Sequence, residues 1–126
     1  MSGWLDNDVH PLDPVAVEAL MELLGDDRET LAELVDAFLE EAPARLADAR
    51  SGVARGDLEL SGRAAHTLKA NALTFGAVDL AARSRELELA ARGGDLAGAR
   101  GLTAGLEAGW ARARPALEAL RDGTAR

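Results

Sequence analysis

The chain has no cysteine and few aromatic residues, with two phenylalanines and two tryptophans among 126 residues. The lack of cysteine excludes disulfides, thiol catalysis and zinc–thiolate sites. With so few aromatic side chains, we expect a core of leucine, valine and alanine. Small aliphatic residues let helices approach closely, which favours a helical bundle over a β-sandwich.

Long apolar runs are also absent. No stretch approaches the roughly 18 apolar residues of a membrane span, and the N-terminus lacks the basic region and apolar run of a signal peptide. These absences predict a cytoplasmic protein. The net charge of −8 disfavours binding to nucleic acid or an anionic membrane, since both need a basic surface.

Aspartates that can cap helices and glycines that can end them divide the chain into five helical segments. Asp13-Pro14 starts the first, with the acid at the N-cap and proline at the first helical position. Pro43 is expected to kink or restart the second. The predicted helices cover residues 13–24, 27–55, 57–73, 77–92 and 95–120.

The turns between these segments are two to four residues long, so successive helices must run antiparallel. No segment alternates with the period of two that strands need. The sequence therefore predicts an all-α fold, an antiparallel up-down four-helix bundle with a short extra N-terminal helix. The bundle domain spans residues 13–121 and follows a loose N-terminal lead-in of residues 1–12.

His66 is one of only two histidines and lies within the third predicted helix. It is turned about 100° from the apolar face that carries Ala65, so we expect it to be partly exposed. The other residues on its face are mostly polar or small, which leaves room for a partner to approach. They are Glu59, Gly62, Arg63, Lys69, Ala70 and Leu73.

The third and fourth helices form a hairpin whose turn centres near residues 76–77. Residues equally distant from the turn lie level, which places Glu88 beside His66. An inward-facing Glu88 can accept a hydrogen bond from Nδ1–H, fixing the tautomer and leaving the Nε2 lone pair free. Lys69, one turn after His66, can stabilise negative charge arriving at Nε2. A histidine and a lysine at this spacing are also common on solvated helix surfaces.

Three runs of the sequence form one pattern: Ala65-His66-Thr67-Leu68-Lys69, Thr74-Phe75-Gly76-Ala77 and Leu87-Glu88. The pattern resembles that of the histidine phosphotransfer (HPt) domain. That family has alanine-histidine-x-leucine-lysine-glycine, five more residues, glycine and, on the next helix, leucine-glutamate. The resemblance covers about residues 12–120.

The resemblance implies that His66 accepts a phosphoryl group from a receiver-domain aspartate or a cognate kinase. His66 would pass the group to another receiver in a two-component multistep phosphorelay. Lys69 would neutralise phosphate charge, Glu88 would hydrogen-bond the histidine, and Gly76 would permit the tight turn. The chain would be a carrier and not an enzyme, with no cofactor of its own and with Mg²⁺ in the partner receiver.

The partners implied by the resemblance are receiver domains and a hybrid sensor kinase. The residues predicted to dock them are Gly62, Arg63, Ala70, Leu73 and Gly76. Ala70 departs from the family, which usually has glycine there. The added methyl group is expected to change affinity or partner preference without removing activity.

Two other functions remain open. The chain can be a docking adaptor that binds a receiver or kinase without carrying phosphate, although the presence of His66, Lys69 and Glu88 together argues against it. It can also be the phosphoacceptor domain of a chemotaxis-type kinase. A chain that begins at Met1 and ends without a linker is expected to be free-standing, and a small acidic bundle is expected to be monomeric.

The remaining candidate residues favour ordinary structural roles. His10 lies in the lead-in with no other histidine nearby in the sequence, and we interpret it as incidental. No residues have the spacing of metal ligands, so no metal site is predicted. Trp4 and Trp110 are expected to be packing anchors. Arginines near the C-terminus are interpreted as a solvated helix face.

Overall fold

The computed structural model describes residues 11–123, which form five α-helices and no strand. The predicted all-α fold with a short extra N-terminal helix is confirmed. Within this part of the chain, no helix is both long and apolar enough to cross a membrane. Trp4 and His10 lie outside the described residues. The helices are α1 (Pro14–Leu23), α2 (Arg28–Arg55), α3 (Leu58–Thr74), α4 (Val78–Arg92) and α5 (Leu96–Asp122).

Aspartate side chains cap four of the five helices. Asp27 accepts the backbone N–H of Thr30 at 3.1 Å and its hydroxyl at 2.7 Å. Asp57 accepts the N–H of Leu60 at 3.1 Å. These bonds satisfy donors that have no partner within the helix. The start of α3, and with it the position of His66 along the helix, is therefore set by Asp57.

The helix does not restart at Pro43, because α2 continues through it as one helix of 28 residues. Proline removes one hydrogen bond, to the carbonyl four residues earlier. Pro43 lies on the exposed side of α2, while Ala42 and Leu46 on either side of it are buried. Packing of the buried face thus overrides the local preference of proline.

The four long helices form a closed ring in which α2, α3, α4 and α5 pack in chain order and α5 returns to α2, while α1 contacts α3. Neighbouring helices run antiparallel. Along the α3–α4 pair, for example, His66 contacts Glu88, whereas the earlier Gly62 lies beside the later Ala91. This topology places α3 diagonally opposite α5, with one side of α3 against α2 and the other against α4.

The core consists mainly of leucine, valine and alanine, as predicted. The aromatic residues contribute more than expected, because three of the four pack together. Phe38 stacks on Phe75 with ring centroids 5.5 Å apart, and Trp110 meets Phe38 edge-on at 5.3 Å. Such pairs add to the stabilisation from burial alone. Trp110 is therefore a packing anchor, as predicted.

The helices α2 and α3 approach closely at Gly52. A Cβ atom at this position would overlap the Ser61 hydroxyl and lie 2.7 Å from the carbonyl oxygen of Asp57. The buried Ser61 hydroxyl donates to the carbonyl of Ala49 at 2.8 Å. Gly52 therefore sets the distance at which α3 rests on α2.

Replacing Gly52 by alanine should destabilise the protein by roughly 1–3 kcal/mol, because the methyl group has no space between the two helices. Gly101 provides the control, since it is exposed in α5 and an added Cβ would have no atom within 4 Å. Gly101→Ala should stabilise the helix by about 0.5–1 kcal/mol. Urea denaturation measures both changes, and equal effects would contradict close packing at Gly52.

Candidate functional site

His66 lies on an exposed face of α3, as the helical periodicity predicted. Its side chain is 57% exposed, whereas Ala65 and Leu68 are completely buried. These apolar neighbours hold α3 against the core and leave the imidazole at the edge of the helix that faces α4. His66 is therefore accessible to a partner although it belongs to a rigid element.

Glu88 places a buried carboxylate beside the imidazole, with only 2% of the side chain exposed. Its Oε2 atom lies 2.7 Å from Nδ1 of His66, and its Oε1 atom accepts a hydrogen bond from Lys69 Nζ at 2.7 Å. Oε2 also lies 2.7 Å from Nη2 of Arg92, one turn further along α4. Three nitrogen groups from two helices thus converge on one carboxylate.

The surroundings of Glu88 keep its carboxyl group ionised. Burial by itself raises the pKa, but the hydrogen bonds from Lys69 and His66 and the charges of Lys69 and Arg92 outweigh it. The net result is a pKa below the ordinary value of 4.5. An ionised carboxylate can only accept hydrogen bonds, so Nδ1 of His66 must donate. The neutral imidazole therefore has its free lone pair at Nε2.

The hairpin geometry correctly placed Glu88 level with His66. Lys69 has a different surrounding from the one expected, because its ammonium group is paired with Glu88 and its side chain is only 27% exposed. Arg92 is a site residue that the sequence analysis did not single out. The available signal was the spacing of Glu88 and Arg92, since a glutamate and an arginine four residues apart on a helix form an ion pair.

Four of the five residues predicted to dock a partner lie on the accessible surface of α3. Arg63, Ala70 and Leu73 are exposed and Gly62 is half-buried. Leu73 is an apolar side chain with 57% exposure. Their positions agree with a docking surface around His66, and their docking role stays a prediction.

Gly76 does not belong to this surface, so its assignment as a docking residue is wrong. It is buried, and its carbonyl accepts the N–H of Asp13 at 2.7 Å. Its backbone has φ +73°, and an added Cβ would lie 2.9 Å from atoms of both Asp13 and Ala16. The start of α1 covers Gly76, which therefore serves the α3–α4 turn and the packing of α1.

A hollow of about 540 Å³ opens beside His66, between α3 and α4. Its apolar lining includes Leu58 and Ala91, and the exposed side chains of Arg63 and Arg92 also border it. We call it the α3–α4 hollow. It gives a partner that approaches His66 an apolar surface next to two guanidinium groups.

Comparison with known proteins identifies the family. Residues 33–123 match the model of the Hpt domain, and the chain belongs to this family. The crystal structure of histidine-containing phosphotransfer protein B from Pseudomonas aeruginosa PAO1 is similar, with 29% sequence identity and a TM-score of 0.80. The similarity covers 90% of this chain and 96% of that chain. No curated protein matches the chain.

The chain is thus a histidine phosphotransfer protein of a phosphorelay. Hpt domains in general interact with receiver domains and kinases.

Replacing Glu88 by glutamine should destabilise the protein in a pH-dependent way. Because the folded-state pKa lies below 4.5, the stabilisation from the ionised carboxylate is present above that value. It is lost as the pH falls through the folded-state pKa. At neutral pH, Glu88→Gln should lower the free energy of unfolding by about 1–3 kcal/mol. The deficit should shrink in acid.

Glu86→Gln is the matched control, since it removes the same charge from an exposed position on α4. It should change the free energy of unfolding by less than about 0.5 kcal/mol. Urea denaturation of both variants and the wild type, from neutral to acidic pH, gives the comparison. A Glu88→Gln deficit that is constant over this range would contradict the ionised, paired state of Glu88.

Proposed function

We propose that His66 is the phosphoacceptor, taking a phosphoryl group from a receiver-domain aspartate or a cognate kinase and passing it to another receiver. The observation that supports this role is the 2.7 Å contact of Nδ1 with the buried Glu88, on a side chain that is 57% exposed. A nitrogen nucleophile needs a free lone pair and access to the reacting group. The contact with Glu88 leaves the lone pair of Nε2 free, and the exposure of the side chain gives the reacting group access to it.

In the accepting step, the Nε2 lone pair of His66 attacks the phosphorus of an aspartyl phosphate on the receiver. The N–P bond forms as the P–O bond to the aspartate breaks, and the electron pair of that bond leaves on the carboxylate. The imidazole keeps its Nδ1 proton and becomes positively charged. Glu88 stabilises this charge through the hydrogen bond that already exists.

In the donating step, a carboxylate oxygen of the next receiver attacks the phosphorus. The N–P bond breaks and its electron pair returns to Nε2, which restores the neutral imidazole. No proton has to enter or leave His66 in either direction. The same residue can therefore serve as acceptor and donor without a separate acid or base.

Lys69 and Arg92 are the groups that offset the charge of the phosphoryl group, which adds roughly −1.5 to −2 units. Each of them contacts Glu88 at 2.7 Å. An ammonium group has three N–H donors and a guanidinium group has five, so both keep donors for phosphoryl oxygens. Glu88 thus places two cations near the imidazole before the phosphoryl group arrives, which lowers the cost of reorganisation.

The chain acts as a carrier and not as an enzyme on its own, since each step needs a group of the partner that donates or accepts the phosphoryl group. We expect the Mg²⁺ that assists transfer to be held by the receiver. Within residues 11–123, no group of three or more acidic or histidine side chains could hold a metal ion. We also propose that a hybrid sensor kinase is a further partner, and that the protein is cytoplasmic and monomeric.

Incubation with a radiolabelled phosphoreceiver should transfer label to the wild type and not to His66→Gln. The label should be acid-labile and alkali-stable, as expected for a phosphorus–nitrogen bond. His10→Gln is the matched control because it removes the other histidine of the chain, and it should retain labelling. Circular dichroism verifies that all variants are helical.

Label that persists on His66→Gln would contradict the assignment of the acceptor. If no receiver or cognate kinase labels the wild type although receivers bind it, the chain is a docking adaptor.

A further inference from the structure

Two hollows flank Arg63 on the face that carries His66. The first is the α3–α4 hollow. The second, of about 300 Å³, lies between α2 and α3, and we call it the α2–α3 hollow. Arg63 and Thr67 line both of them. The two hollows therefore form a continuous surface that extends from α2 across α3 to α4.

The charge of this surface is opposite in sign to that of the whole chain. Its lining contains three guanidinium groups and two carboxylates, an excess of one positive charge in a chain of net charge −8. The arginines come from three different helices. Arg45, Arg63 and Arg92 will be called the basic surface.

The arginines of the basic surface are available to a partner. Arg63 is paired with Glu59 at 3.3 Å, but the two side chains are 67% and 81% exposed. An exposed ion pair of this kind contributes little, so Arg63 can exchange Glu59 for a carboxylate of a partner. Arg45 pairs with Asp48 at 3.0 Å, and the two side chains are 33% and 39% exposed. Arg45 can likewise exchange Asp48 for a carboxylate of a partner.

We propose that the basic surface of Arg45, Arg63 and Arg92 binds carboxylates on the docking face of the receiver partner. This proposal rests on the phosphotransfer function. Guanidinium groups match carboxylates through paired hydrogen bonds. Their distribution over three helices suits several carboxylates on one protein face better than a single small anion. Although the chain is acidic as a whole, its basic surface thus attracts an acidic face of the receiver to the surroundings of His66.

The test compares Arg63→Glu with Arg100→Glu, which makes the same charge change on an exposed position of α5, diagonally opposite α3. The probe is the receiver that labels His66, with phosphoramidate as a small chemical donor that needs no docking. In about 50 mM salt, Arg63→Glu should raise the half-saturating receiver concentration about tenfold and Arg100→Glu less than about twofold. Near 1 M salt, the difference between the variants should largely disappear.

Labelling by phosphoramidate should be equal in both variants and the wild type. Equal effects of the two variants on receiver docking would overturn the proposal, because only net charge would then matter. Loss of phosphoramidate labelling in Arg63→Glu would also overturn it, since Arg63 would then act on His66 and not on docking. A wild type that neither donor labels at His66 instead means that the proposed phosphoacceptor function is wrong.

A second variant, Arg45→Gln, tests the part of the basic surface that lies on α2. It should raise the half-saturating receiver concentration about threefold at low salt and leave phosphoramidate labelling unchanged. An unchanged half-saturating concentration would remove α2 from the contact surface and overturn that part of the proposal.

Discussion

The ion-pair cluster around the buried Glu88 carboxylate is the interaction on which the site depends. A charge that is 98% removed from solvent is costly unless it is paired, and Glu88 has Lys69, Arg92 and His66 within 2.7 Å. The same contacts join α3 to α4, select the imidazole tautomer and hold two cations nearby. One side chain thereby links the packing of the bundle to the chemistry of its surface.

In the proposed reaction, the bundle provides the surface that carries His66, and the partner completes the reaction site. His66 lies outside the core, so that both solvent and a partner can reach it. We expect the aspartate and the metal ion of the reaction to come from the receiver. What the chain contributes is orientation and charge. This division explains why a bundle without an enclosed cleft at His66 can serve in phosphoryl transfer, and why the surroundings of His66 matter for docking as much as for chemistry.

Sequence reasoning succeeded where geometry is local or fixed by short turns. Helical periodicity predicted that His66 is exposed, and the tight hairpin predicted that Glu88 lies level with it. It failed where distant groups compete. Lys69 pairs with Glu88 on the next helix, and α1 covers Gly76 through tertiary packing. At Pro43, burial of the neighbouring residues overrides a local signal. No pattern along the chain states which of several possible partners a side chain will choose.

The tautomer of His66, measured by long-range proton–nitrogen correlation NMR in alkaline buffer, tests most directly whether Glu88 orients the imidazole. We predict that Nδ1 carries the proton and that Nε2 has the chemical shift of a nitrogen with a free lone pair. In Glu88→Gln, this preference should weaken. An unmodified protein whose neutral His66 is protonated at Nε2 would contradict the claim that Glu88 prepares this atom for phosphoryl transfer.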